Sequence, residues 1–153
     1  MDEIVVRSLA RWPNVPAVYG WLELDRRGNW RIKGERIGNV ALREFIARNY
    51  AADAQGRWFF QNGPQRVYVT LAYTPFVVHY EGERLFDHCG HAMEPLETWL
   101  DDEGSVLIRS EQGIGLLDDR DLQRYAESGD RLPRLKRSEV AARFGFISNP
   151  QAA

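Results

Sequence analysis

The sequence predicts an α+β fold: two related hairpin-plus-helix units and an antiparallel meander. Three observations carry this. Strand-like runs flank a glycine turn near residues 24–33, a helical apolar stripe begins at Leu42, and three β-rich runs separated by short turns lie between Arg57 and Tyr80.

The first elements follow from local chemistry. Arg11-Trp12-Pro13-Asn14-Val15-Pro16 carries two prolines, which forbid a regular element, so residues 1–17 are expected to form an N-terminal arm. Val18 to Leu24 reads as a strand, Arg26-Arg27-Gly28-Asn29 as a turn, and Trp30 to Lys33 as the returning strand. Side chains alternate across a strand, so Trp30 and Ile32 share one face while Arg31 and Lys33 share the other. Asn39 is a natural N-cap for a helix running to about Ala52, with Leu42, Phe45, Ile46 and Tyr50 on one stripe. Asp53-Ala54-Gln55-Gly56 is expected to end that helix.

Arg57–Phe60 and Arg66–Leu71 then read as strands joined at Asn62-Gly63-Pro64, and Phe76–Tyr80 as a third strand. Short connections between successive strands predict an antiparallel meander rather than a parallel sheet. The second half echoes the first. Trp99-Leu100 and Val106–Arg109 flank a turn at Asp102-Glu103-Gly104, and Ile114-Gly115 precedes an expected helix from about Asp118 to Glu127 carrying Leu122 and Tyr125. The expected division is an arm over 1–17, a first α+β unit over 18–93 and a second over 94–153 packed against the first.

With 153 residues, 44% hydrophobic and 27% charged, the chain has the composition of an ordinary globular protein that can bury a core. Its net charge of −2 gives no global reason to expect nucleic acid or membrane as partner. Charge is uneven, with eleven acidic against three basic residues over Glu94–Asp130 and five basic against one acidic beyond it. Such runs are expected to be solvated or to pair with each other. Cys89 is the single cysteine, so no internal disulfide can form. No run reaches the ~18 apolar residues of a membrane span, and no basic leader with a long apolar stretch opens the chain, which predicts a cytoplasmic location.

Two groups of residues have chemistry to offer. His79, His88, Cys89 and His91 fall in one short stretch, and imidazole and thiolate are preferred ligands of zinc, so a metal or redox site is one reading. The usual two-residue ligand spacing is missing there. The other group surrounds the first helix entrance: Trp30, Arg31, Lys33, Arg36 and Asn39, with Gly38 between them. Amides at a helix N-terminus favour anions, and glycine lets an anion approach the backbone. The corresponding second entrance, Leu117-Asp118-Asp119, supplies its own carboxylates. The phosphate-loop, Gly-x-Ser-x-Gly and His-Glu-x-x-His patterns are absent, so the chain is not read as an enzyme and no cofactor is implied.

Gly28-Asn29-Trp30, Gly34, Ile37, Leu42, Phe45, Asp53-x-x-Gly56, Trp58-Phe59-Phe60, Val67-x-Val69 and Pro75-Phe76 together resemble a proteobacterial domain-of-unknown-function family of small duplicated α+β proteins. The resemblance covers about residues 26–80. It implies two related units, the later one similar to a pleckstrin-homology-like sheet, with a nucleotide-like ligand between them and a role in signalling. The leading expectation is therefore a binding module for a small anionic ligand. A metal or redox protein is one alternative; a protein-interaction module or homodimer using the Trp12-Pro13 arm or a sheet edge is the other.

Overall fold

A computed structural model describes residues 12–152 of the chain. Most of the predicted N-terminal arm lies outside the described residues. The rest groups into two compact units. The first takes the described residues up to Asp25, then Asn29–Ala72 and the segment from Phe146; the second takes Arg26–Gly28 and Tyr73–Gly145.

The first unit is a six-stranded sheet with one helix. Its strands are β1 (Ala17–Leu24), β2 (Trp30–Ile32), β3 (Glu35–Arg36), β4 (Tyr50–Ala52), β5 (Trp58–Asn62) and β6 (Gln65–Leu71), and α1 spans Val40–Arg48. The spatial order is β3-β2-β1-β6-β5-β4. Each neighbouring pair is antiparallel except β1 with β6, which run parallel. Strand alternation puts Val18, Leu22, Leu24, Trp30, Phe60, Val67, Val69 and Leu71 on the inner face, and all eight are buried. Leu42 and Ile46 of α1 are buried too, and the Phe45 ring meets Phe60 edge-on at 5.5 Å between centroids. Truncating either aliphatic side chain to alanine would cost roughly 2–5 kcal/mol.

The helix is shorter than its periodicity predicts. Asn49 closes it, its side chain donating to the Phe45 carbonyl, and Tyr50 leaves the helical stripe to pair with Phe60 in β4. There its ring sits 5.0 Å from Trp30 and 4.8 Å from Trp58. Sheet pairing and ring packing outweigh weak helix propensity over these residues.

The second unit is a seven-stranded sheet of β7 (Phe76–Glu81), β8 (Arg84–Asp87), β9 (Ala92–Met93), β10 (Glu97–Asp101), β11 (Val106–Arg109), β12 (Ile114–Leu117) and β13 (Arg134–Leu135). The order is β13-β10-β11-β12-β7-β8-β9. The expected meander is therefore rearranged. β5 and β6 form an antiparallel hairpin, but β7 belongs to the other sheet and pairs parallel with β12 and antiparallel with β8. Buried Thr74 ties the start of β7 to β12, donating to the Phe76 carbonyl and accepting from the Leu116 amide. Because β7, β8 and β9 hydrogen-bond into the later sheet, the units divide at Ala72/Tyr73 rather than at Met93/Glu94. Gly115 makes the β12–β7 contact tight: a Cβ there would lie 2.7 Å from Val78 Cγ1.

The expected helix after Asp118 is a 3₁₀ helix over Asp119–Tyr125, with Asp118 capping the Arg120 amide. None of its residues is buried, so no apolar face is packed to support a longer α-helix. A second helix, α2 (Arg137–Phe144), closes the unit. It buries Val140, places Phe144 5.2 Å from the Trp99 ring, and ends at left-handed Gly145. Some of the uneven charge pairs locally: Arg137 holds both oxygens of Glu103 and its amide donates to Asp102, while Arg109 binds Glu97.

One turn recurs four times, at Asp25, Asp53, Asp87 and Asp101, each followed three residues later by a glycine with φ between 81° and 90°. In every copy the aspartate amide donates to the carbonyl four residues on, and the amide of that residue donates to the aspartate Oδ1 at 2.8–3.0 Å. The carboxylate organises the loop, and glycine takes the left-handed position that a side chain would strain.

Candidate functional site

The five residues predicted around the first helix entrance all lie in the first unit, but the sheet splits them. Trp30 is buried on the inner face. Arg31, on the outer face, donates from Nε to Asp25 at 2.8 Å and from Nη1 to the Gly34 carbonyl. Lys33, at φ 51°, holds its ammonium 4.1 Å from the Trp21 ring centroid. Both cations are thus engaged by their own hairpin.

Arg36 and Asn39 stay at the entrance. They line a small concavity of about 110 Å³ with Ile32, Glu35, Ile37, Gly38 and Leu42. Asn39 caps the helix, its Oδ1 accepting from the Leu42 amide at 2.8 Å. The Arg43 amide begins the helical bonding to Asn39, so the Val40 and Ala41 amides have no acceptor among the described residues. Arg36 Nε donates to Asn29 Oδ1 at 3.0 Å, and a Cβ at Gly38 would meet nothing within 4 Å. The arrangement offers two amides, one guanidinium and open space in front of the backbone.

The histidines and the cysteine do not converge. Among the described residues, no three His, Cys, Asp or Glu side chains are arranged to hold a metal ion. This corrects the reading of His79, His88, Cys89 and His91 as one ligand set. His79 sits in β7 opposite Phe86, its ring 6.1 Å from that ring, and reaches Glu81 at 3.8 Å. His88 turns inward and accepts from the Val77 amide through Nδ1. With Nδ1 an acceptor, the proton of a neutral ring is on Nε2, which lies 3.6 Å from Cys89 Sγ. Burial, with the Asp87 carboxylate beside it, pushes the Cys89 thiol up, away from the thiolate a ligand or nucleophile needs. His91 is exposed and reaches Asp87 Oδ2 at 3.4 Å. The Asp87 turn brings His88 and Cys89 side by side but carries His91 outward, and His79 sits apart on β7, so the four do not form one ligand set.

A larger concavity escaped sequence reading. In the second unit a groove of about 480 Å³ runs along β8 and β9, lined by Tyr80, Leu85, Met93, Glu94, Pro95 and Glu111 among others. Its floor is set by register: Tyr80 pairs with Leu85, and Leu85 with Met93, so the three side chains lie abreast on one face. No local motif announces it. Two-residue β9 has no alternation to detect, and Glu111 comes from a separate hairpin loop.

Comparison with known proteins places this fold. The model of a family described as "Protein of unknown function (DUF2946)" matches residues 1–151. The chain belongs to this family. The resemblance to a proteobacterial domain-of-unknown-function family is thereby borne out, and it extends well beyond residues 26–80. No curated protein matches the chain. Among solved structures, a DUF1285 family protein from Silicibacter pomeroyi DSS-3 is similar, with a TM-score of 0.56 at 16% identity over 81% of this chain and 82% of that one. Another DUF1285 family protein, from Shewanella baltica OS155, gives a TM-score of 0.53 at 16% identity, covering 69% of this chain and 89% of that one. At that identity the likeness speaks for the fold alone. Among the described residues, no helix is long and apolar enough to cross a membrane.

Proposed function

We propose that this member of the family is a non-catalytic binding module that takes a small anionic group at the entrance of α1. The observation that carries the reading is the concavity of about 110 Å³ lined by Arg36, Gly38 and Asn39, at the start of a helix whose Val40 and Ala41 amides are unbonded among the described residues. Its volume equals that of three or four waters at about 30 Å³ each, well below the roughly 300 Å³ at which ligand pockets begin. It therefore suits a phosphate, sulfate or carboxylate group, with the rest of a nucleotide-like ligand lying outside. Arg36 supplies the charge, since Arg31 is committed to Asp25 and Lys33 to Trp21.

The resemblance adds a signalling role, with ligand occupancy as the signal, and the cytoplasmic location expected from the sequence is kept as part of the proposal. It also supports reading the units as related. β1-β2-β3 and β10-β11-β12 are both antiparallel triplets followed by a helical segment, and the first strand of each then pairs parallel with a later strand. A thermal-shift series with inorganic phosphate, sulfate, AMP and a dinucleotide tests the binding reading. Stabilisation should appear with at least one phosphate compound and vanish in Arg36→Ala. Free ligand at 100 times its dissociation constant should add about 2.7 kcal/mol. No shift with any compound at saturating concentration would sink it.

A further inference from the structure

The groove of the second unit has a different chemistry from the α1 entrance. Its apolar floor is Leu85 and Met93, both buried, beside Tyr80. Its lining carries Glu83, Glu94 and Glu111 against a single cation, Arg84. Arg84 holds its guanidinium 5.4 Å from the Phe86 ring centroid, and Glu83 reaches Arg124 only at 3.9 Å. Glu94 and Glu111 are exposed, with no ion-pair partner among the described residues. An apolar floor below uncompensated carboxylates complements a long cationic side chain, whose methylenes bury while its head group stays at the rim.

The backbone adds a second, independent feature. β9 ends the sheet order, so its outer edge has no neighbouring strand among the described residues. The Asp87 amide bonds to the His91 carbonyl, making that pair a hydrogen-bonded one. Alternation then puts Met93 in a bonded pair with Leu85 and turns the backbone groups of Ala92 outward, while Glu94 lies one residue past β9 with no partner in the β8 register. Neither amide has an acceptor among the described residues. Two such amides two residues apart match the spacing of an extended chain. Pro95, just beyond, has no N–H to offer, so a long strand cannot continue there but a short one can begin.

We propose that the groove beside β9 docks a short extended segment of a partner protein, which pairs with the edge at Ala92 and Glu94 and lays a lysine or arginine side chain against Glu94 and Glu111. The proposal is independent of anion binding at α1, since it uses other residues, another unit and the opposite charge.

The test is an amide NMR titration of the full chain with the capped pentapeptide acetyl-Thr-Val-Lys-Val-Thr-amide. Saturable shifts should appear at the Ala92 and Glu94 amides. Replacing the peptide lysine by norleucine should weaken binding about tenfold or more, the scale of one charge-assisted contact. The double variant Glu94→Gln/Glu111→Gln alters only exposed side chains, so its melting temperature should hold while peptide affinity falls by a similar factor. Absence of saturable shifts at these amides up to about 1 mM peptide would overturn the proposal. Equal binding of the norleucine peptide would overturn it too. So would spermine matching the peptide with no change at the Ala92 amide, which would mark a simple cation site.

Discussion

The turns at Asp53 and Asp87 share a backbone and differ in one oxygen. In both, Oδ1 accepts two amides, those of residues two and four positions on. Oδ2 of Asp53 receives the Arg57 guanidinium at 2.7 Å, whereas Oδ2 of buried Asp87 has no hydrogen bond among the described residues and faces the His91 imidazole at 3.4 Å. The Asp25 and Asp101 turns widen the contrast, with Arg31 and the Tyr73 hydroxyl as the Oδ2 partners. One local motif thus builds four loops, and the surroundings decide how strongly each is held.

That contrast can be broken by substitution, and the largest loss is expected at Asp101. Its carboxylate is 3% exposed and serves the Glu103 and Ser105 amides as well as buried Tyr73. Asp101→Ala leaves all three donors without their acceptor and should cost roughly 3–5 kcal/mol in a denaturant melt. Burial and the bond to Asp101 also push the Tyr73 hydroxyl up. A phenol whose folded pKa is raised adds stability that is present below the ordinary tyrosine value and is lost as pH climbs through the folded one. Tyr73→Phe should therefore flatten the alkaline limb of the stability profile above about pH 10.

Next in size is Gly28→Ala. Its φ of 82° already strains any side chain, and the new Cβ would lie 3.0 Å from His88 Cβ. At Gly104 the φ is 83° but nothing lies within 4 Å. Melting should therefore show Gly104→Ala costing about 1–2 kcal/mol and Gly28→Ala clearly more.

The Asp53/Asp87 pair gives the finer test. Asp53→Asn replaces the charged partner of Arg57 and should cost about 1–2 kcal/mol, while Asp87→Asn keeps the Oδ1 acceptor and should cost less. Burial works against ionised Asp53, but the Arg57 amide and guanidinium and the Gln55 amide outweigh it and hold the carboxyl below the usual aspartate range. A depressed folded pKa adds stability that is present above the unfolded value and lost as pH falls through the folded one. Acid titration should show wild type losing more stability than Asp53→Asn below about pH 4.

Much of the local structure was legible in the residues. The β1–β2 hairpin stands where alternation and the Gly28 turn placed it, with Trp30 inward and Arg31 opposite, although the strand ends at Ile32 and Lys33 falls in the turn beyond it. Asn39 caps α1 through its side chain, as its type and position predict. The end of α1 was not legible, because Tyr50 fits a helical stripe and a strand equally well, and only Phe60 across the sheet decides. β9 and β13, at two residues each, have no period to read, and Leu100, the partner of β13, lies far along the chain. The helix entrance was legible in Gly38 and Asn39. The β8–β9 groove was not, since it is made by register across three strands and a loop residue.

What the sequence determined by itself is short-range: a turn whose aspartate and glycine need only five consecutive residues, a helix start that needs one asparagine, and the face each strand side chain takes. The tertiary structure decided which sheet β7 joined, where the units divide and that Tyr73 met the Oδ2 of Asp101. Those outcomes depend on hydrogen bonds and burial between residues distant in the chain, whose free energy no local window contains.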